Sequence, residues 1–264
     1  MINAAPTRVT ILGSGTCVPS VKRSACAVMI HTASAVIVLD CGPGTMRRLT
    51  ETDTAVTDVT HVFFSHFHPD HTGELATFIF ANKYPDQTRR KQPLTFIAGK
   101  GFTTFYNNYK SVYGHWIELP PDQFRLMELD GGGAITGFDD FSVTALPMTH
   151  NPESLAYKIT GVDGKTIVYS GDTDFNENLV TLAKGANLLI CEAAFPAEYK
   201  VPGHLTPPEA GLIAVRAEVR SLVLTHLYPE CDQVDMIAQC RQNWSGPLAL
   251  AEDLMDIDLC ATTL

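Results

Sequence analysis

The sequence predicts an α/β protein in which two mixed β-sheets pack face to face and are covered outside by helices. Three observations carry this. Short apolar runs recur along the whole chain with turn signals between them; stretches with helical periodicity separate many of these runs; and chemistry-bearing residues sit repeatedly just past the ends of the runs. The chain is expected to form a single domain over residues 1–264, because layered α/β folds reach this length and no composition shift marks a boundary.

The first strands are Val9–Leu12, ending at Gly13-Ser14-Gly15-Thr16, then Ala27–Ile30 and Ala35–Asp40, a meander with Gly-rich corners. Similar short apolar runs recur later at Leu94–Ala98, Phe141–Leu146, Leu155–Ile159, Thr166–Tyr169, Leu188–Ile190 and Leu222–Thr225. Helices are expected at Gly44–Leu49, Gly73–Ala81, Asn176–Ala183, Pro207–Ala217 and Cys231–Cys240. Thr206 before Pro207-Pro208-Glu209 is a strong start signal: a hydroxyl cap, proline in the first turn and an acid near the positive end of the helix dipole. Aromatics at Phe102 to Trp116 fit one face of a helix packed on the core. No repeat or low-complexity segment is visible.

Nineteen basic against 29 acidic residues give a formal net charge of -10, which disfavours bulk nucleic-acid binding. The N-terminus lacks a signal pattern and no apolar run reaches the ~20 residues of a membrane span, so a cytoplasmic protein is expected. The seven cysteines are scattered with no CxxC pair, which indicates neither a disulfide framework nor a cysteine zinc knuckle.

The densest chemical signal is His66-Phe67-His68-Pro69-Asp70-His71, directly after the apolar run His61–Phe64. In an extended segment His66 and His68 point to one side, and where the chain then turns into a helix Asp70 and His71 at its first turn can face a second position. Imidazole nitrogen and carboxylate oxygen suit zinc, manganese or iron rather than calcium or magnesium. Three further candidates each follow a strand: His150, Asp172 and His226. Projecting from one rim, the seven suffice for two divalent metal ions with one shared carboxylate. His31, His61 and His115 lack this context and read as structural.

His66-Phe67-His68-Pro69-Asp70-His71 fits the HxHxDH signature of the metallo-β-lactamase superfamily, and the chain resembles its ribonuclease Z-like branch over nearly its whole length. Leu12–Ser20, Leu39–Thr45, Ser170-Gly171-Asp172-Thr173, Cys191–Phe195, Gly203–Thr206 and Leu224–His226 carry the likeness. The resemblance implies an αββα sandwich, one metal held by His66, His68 and His150, a second by Asp70, His71 and His226, and Asp172 bridging. It also implies hydrolysis by a metal-bridging hydroxide, with Asp70 orienting the proton and His204, supported by Glu192, as general acid. On the residues alone, Glu192 also reads as a strand-end acid and His204 as a cap of the Pro207 helix. Ordinary β-lactamases typically place a cysteine where this chain has His71. Zn2+ is the first expectation for the metal, with Mn2+ or Fe2+ accepted by the same ligands.

Members of the branch that process tRNA carry a long inserted arm between the positions of His150 and Asp172, where this chain has 21 residues. The expected substrate is therefore a small phosphodiester such as a cyclic nucleotide. Alternatives are ribonuclease Z-type tRNA 3′-end cleavage, hydrolysis of a carboxylic ester, lactone or aryl sulfate, and a metal-stabilised protein without turnover. Lys22 and Arg23 are candidate phosphate contacts or plain surface charge. Relatives in the branch are often homodimers, for which Phe102 to Trp116 offers a candidate interface.

Overall fold

The computed structural model describes residues 7–85 and 90–259. One sheet contains β1 (Arg8–Gly13), β2 (Ala27–His31), β3 (Val36–Leu39), β4 (His61–Phe63), β5 (Leu94–Gly99) and β6 (Phe124–Leu129) in spatial order. The other runs through β7 (Gly133–Ile135), β8 (Phe141–Pro147), β9 (Leu155–Gly161), β10 (Thr166–Tyr169), β11 (Leu188–Glu192), β12 (Leu222–Thr225) and β13 (Leu248–Leu250). A last strand, β14 (Met255–Ile257), returns to the first sheet beside β1. Both sheets are mixed: β1 to β3 and β7 to β10 pair antiparallel, β3 to β6 and β10 to β13 parallel.

Side-chain alternation explains the layering. Phe63 and Tyr169 enter the central core between the sheets together with Val28, Ile37, Val143, Tyr157 and Ile190, while their neighbours Phe64 and Val168 turn outward under the helices. The outer layers consist of α1 (Thr45–Thr50), α2 (Pro69–Thr72), α3 (Leu75–Lys83) and α4 (Phe102–Tyr113) on one side, and α5 (Glu177–Leu182), α6 (Pro207–Ala217) and α7 (Met236–Cys240) on the other. Strands covered on both faces read as continuous apolar runs, which is why they were visible in the sequence. Among the described residues no helix is long and apolar enough to cross a membrane. Six cysteines are free, all but Cys17 buried; Cys260 lies outside the described residues.

Two helices differ from expectation. Cys231–Cys240 is not continuous: a 3-10 turn at Pro229–Gln233 precedes α7, and Asp235 restarts the helix by accepting from Ala238 N at 2.8 Å. The helix expected from Gly73 begins instead at Leu75: Glu74 is its N-cap, with its N–H donating to Cys41 O at 3.0 Å, while its carboxylate accepts from Gly44 N and Met46 N, both at 2.7 Å, and so satisfies the start of α1. Phe102 and Tyr106 of α4 are buried as expected, whereas Val112, Tyr113 and Trp116 are exposed.

Because β8 and β10 are both antiparallel to β9, β8, β10, β11 and β12 all end on one rim. The ends of β3 and β4 in the other sheet bring Asp40 and His66 to the same place, as hydrogen bonds across the sheets show: Tyr169 Oη donates to Asp40 at 2.6 Å and Tyr157 Oη to Phe64 O at 2.8 Å.

Candidate metal centre

His66, His68, His150 and Asp172 present one ligand atom each within 4.8 Å of one another; so do Asp70, His71 and His226, and so do Asp172, His204 and His226. Asp172 is common ground. Its oxygens lie 3.3 Å from His71 Nε2, 3.4 Å from His226 Nε2, 3.7 Å from His66 Nε2 and 3.9 Å from His150 Nε2. Asp70 Oδ2 lies 3.5 Å from His226 Nε2 and 3.9 Å from His71 Nε2. All seven residues of the sequence cluster therefore meet, with His204 beside them.

Outer contacts fix which nitrogen faces inward for three of the rings. His71 Nδ1 is 2.7 Å from Asp40, His150 Nδ1 is 2.9 Å from Gly203 O, and His66 Nδ1 is 3.0 Å from Ser65 Oγ. The inward nitrogens then converge: His71 Nε2 on His226 Nε2 at 3.4 Å, His150 Nε2 on His68 Nδ1 at 3.2 Å. His66 Nε2 and His226 Nδ1 are buried with no hydrogen-bond partner among the described residues. The orphaned His66 Nε2, set among the other inward imidazole nitrogens and two buried carboxylates, fits divalent cations of the zinc, manganese and iron group.

Burial and neighbouring charge act on these groups in both directions. Burial, reinforced by the His71 charge, pushes His66 well below the usual imidazole range. Burial opposes ionisation of Asp172, yet His226 and His71 hold it well below the usual carboxylate range, and Asp70 is likewise lowered against burial by the hydrogen bond from His226. His71 goes the other way: burial works against its charge, but Asp172 and Asp40 raise it well above the imidazole range.

Glu192, at the end of β11, is buried and accepts from Thr173 N at 2.6 Å and Leu205 N at 3.1 Å, and its Oε1 is 3.2 Å from His204 Nδ1. Burial raises the Glu192 carboxyl, while His204, disfavoured by burial, is raised by its bond to Glu192. The capping role open to His204 belongs to Thr206, which forms a capping box with Glu209.

Arg23 does not face the centre as a free cation. Its guanidinium donates to Ser14 Oγ, Ala251 O and Asp232, while Lys22 is exposed. His31 contacts Thr54 and His61 contacts Thr60, both away from the cluster. Sequence reasoning missed Asp40 as a support, although it follows β3 as His150, Asp172 and His226 follow their strands. It also missed Tyr228, stacked on Phe195 at 4.3 Å and 5.9 Å from the His226 ring.

The sequence family described as "Beta-lactamase superfamily domain" matches residues 36–227. The chain belongs to this superfamily. A Ribonuclease Z of Methanosarcina acetivorans is 27% identical, with 96% of this chain and 98% of that protein covered, and the uncharacterized protein Rv1339 of Mycobacterium tuberculosis is 30% identical, with 91% and 88% covered. The crystal structure of human tRNase Z, short form, superposes with a TM-score of 0.76 at 26% identity, covering 96% of this chain and 100% of that one. The two layered sheets form the metallo-β-lactamase αββα sandwich, and the protein is a metal-dependent hydrolase of that superfamily. The fold lacks a long arm-like extension among the described residues. The alignment with the archaeal Ribonuclease Z spans 309 positions, more than this chain's 264 residues, so that relative contains segments absent here; the alignment with Rv1339 spans 249.

Proposed function

We propose that this protein is a binuclear-metal phosphodiesterase for small phosphodiesters, a cyclic nucleotide or nucleotide-like diester being the substrate class. One observation carries the choice: from His150 to Asp172 the chain forms only β9 and β10, joined by a tight turn closed by Gly164 N donating to Gly161 O at 2.9 Å. Nothing there reaches out to grip a polymer, and a net charge of -10 makes a long polyanion a poor partner. Names of relatives favour a second reading, tRNA 3′-end cleavage, which would have to take its affinity from the pocket mouth alone.

In this reading His66, His68 and His150 would hold one ion and Asp70, His71 and His226 the other, with Asp172 shared between the two groups. Two such ions supply Lewis acidity toward a phosphoryl oxygen and an acidified water. Asp70, through its oxygen away from His226, accepts and orients a proton of the attacking water. His204, held at Nδ1 by Glu192, delivers a proton from Nε2 to the departing alkoxide. Its bond to Glu192 raises its pKa against burial, the direction a proton donor needs.

The test is turnover of bis-nitrophenyl phosphate, a cyclic nucleotide, a tRNA precursor, a carboxylic ester and an aryl sulfate, with His68→Ala as blank. Cleavage of diester and cyclic nucleotide with inert tRNA is expected; efficient tRNA cutting selects the second reading. His204→Ala should lose about 100-fold on a diester with an alkyl leaving group and far less on the nitrophenyl diester. Equal losses on both would remove His204 from the acid role.

A further inference from the structure

The turn Val201–His204 carries two of the groups just described, and one lysine pins it. Gly203 O accepts from His150 Nδ1 at 2.9 Å, and the next residue is His204. Gly203 has φ +88, and a Cβ there would stand 3.2 Å from His150 Nδ1, so the backbone can meet that ring only as glycine. Two carboxylates flank the turn. Asp174 accepts from Gly203 N at 2.9 Å, and its own N–H donates to Thr149 O at 2.8 Å, next to His150. Glu209, in the first turn of α6, accepts from Thr206 N at 2.8 Å. Lys200 Nζ joins all three parts: it donates to His204 O at 2.5 Å, to Asp174 Oδ1 at 2.7 Å and to Glu209 at 2.8 and 3.0 Å.

We infer that Lys200 is a positioning residue for His150 and His204 together, holding through one turn both the inward aim of His150 and the proton-delivering ring of His204. Without the ammonium, two carboxylates face each other across the turn with nothing between them, and the carbonyl of His204 loses its donor. A partly exposed ion pair contributes little to global stability. The consequence is therefore local: the turn drifts, and both imidazoles go with it. The His204 half of the inference rests on the general-acid reading; the His150 half rests only on the ligand geometry.

The experiment compares Lys200→Met, Lys200→Arg and a distant control, Lys184→Met, which removes only the surface pair with Glu218. Zinc binding to the apoprotein is titrated against a competing chelator, turnover is measured on alkyl and nitrophenyl diesters, and melting temperatures are recorded. Lys200→Met should weaken one of the two zinc sites about three- to tenfold, lower kcat about tenfold on the alkyl diester and less than about threefold on the nitrophenyl diester, and leave the melting temperature of the zinc-free protein unchanged. Lys200→Arg should restore most of both losses. In a His204→Ala background, Lys200→Met should add no leaving-group dependence. Asp174→Asn, which keeps an acceptor oxygen but removes one charge, serves as a second variant if Lys200→Met folds poorly, and should weaken zinc in the same direction. Unchanged zinc affinity with equal kinetic losses on both substrates would overturn the inference, as would a loss that merely tracks a fall in the melting temperature of the zinc-free protein. If His204→Ala shows the leaving-group split and Lys200→Met shows neither split nor weaker zinc, the inference alone fails. If the wild type cleaves no diester, the phosphodiesterase reading fails, and the zinc titration still decides the hold on His150.

Discussion

His61 shows how a single residue away from the centre makes the stability of the fold depend on pH. Its ring packs edge-on against Phe138 and Phe141 at 5.1 and 5.2 Å, and Thr60 Oγ1 lies 2.8 Å from Nδ1. Burial lowers its pKa to about 4, Asp140 opposing and Arg90 assisting. A depressed histidine is neutral in the fold while the unfolded chain takes up a proton near pH 6.5, so the unfolded state binds more protons between these values. The contribution is fully present above about pH 6.5 and is lost as pH falls toward 4. It amounts to on the order of 2 kcal/mol once solvent screening of the partly exposed ring is included. His61→Phe keeps the ring contacts and removes the titration, so its denaturation midpoint should fall less than that of the wild type between pH 7 and 4.5. Parallel midpoints for the two proteins would remove His61 as the source.

Among the connecting elements, the turn after β3 is built directly against the ligand-bearing helix α2. Cys41 N donates to His71 O at 2.8 Å, and a Cβ on Gly42 would fall 1.9 Å from Asp70 O, in the middle of bonded backbone. Gly42→Ala must therefore displace either the turn or the segment carrying Asp70 and His71. A loss of about 2–4 kcal/mol in stability is expected, together with reduced zinc content measured on the purified protein. Normal zinc content at normal stability would mean that the backbone yields more easily than this contact allows. The same elements show what a sequence can reveal. Strands that are covered on both faces, such as Val36–Leu39 and Leu222–Thr225, and the strand-end residues His150, Asp172 and His226, were legible because each signal is local. The strands Gly133–Ile135, Leu248–Leu250 and Met255–Ile257 were not: each has three residues and exists by pairing with a neighbour. The support of His71 by Asp40, and of Asp40 by Tyr169, links residues 31 and 129 positions apart, and no local pattern announces it. Glu192 and His204 were reached through family likeness, whereas Lys200 has no signature, because its partners are a backbone carbonyl and two ordinary surface carboxylates.

At the scale of the molecule, the centre is a joint between the two sheets. His66, His68, Asp70 and His71 follow β4 in one sheet, whereas His150, Asp172 and His226 follow β8, β10 and β12 in the other. Ions held by this set bind only when both sheets are formed and docked, because the unfolded chain does not bring the two groups together. Mass action then stabilises the docked state by about 2.7 kcal/mol for each ion present at 100 times its Kd. For a chain of this size each kcal/mol moves the melting temperature by about 2–4 °C, so chelation should lower it by about 5–20 °C, and added zinc should restore it in a concentration-dependent way. His68→Ala isolates the cause. That side chain is exposed and contributes little packing, so the variant, keeping Asp70, His71 and His226, should melt between the zinc-loaded and the chelated wild type and show a smaller response to zinc. A wild-type melting temperature indifferent to both chelator and zinc would mean that the seven residues converge without holding ions in the folded state. The phosphodiesterase reading would then lose its foundation, while the two-sheet fold, carried by its three apolar clusters, would stand.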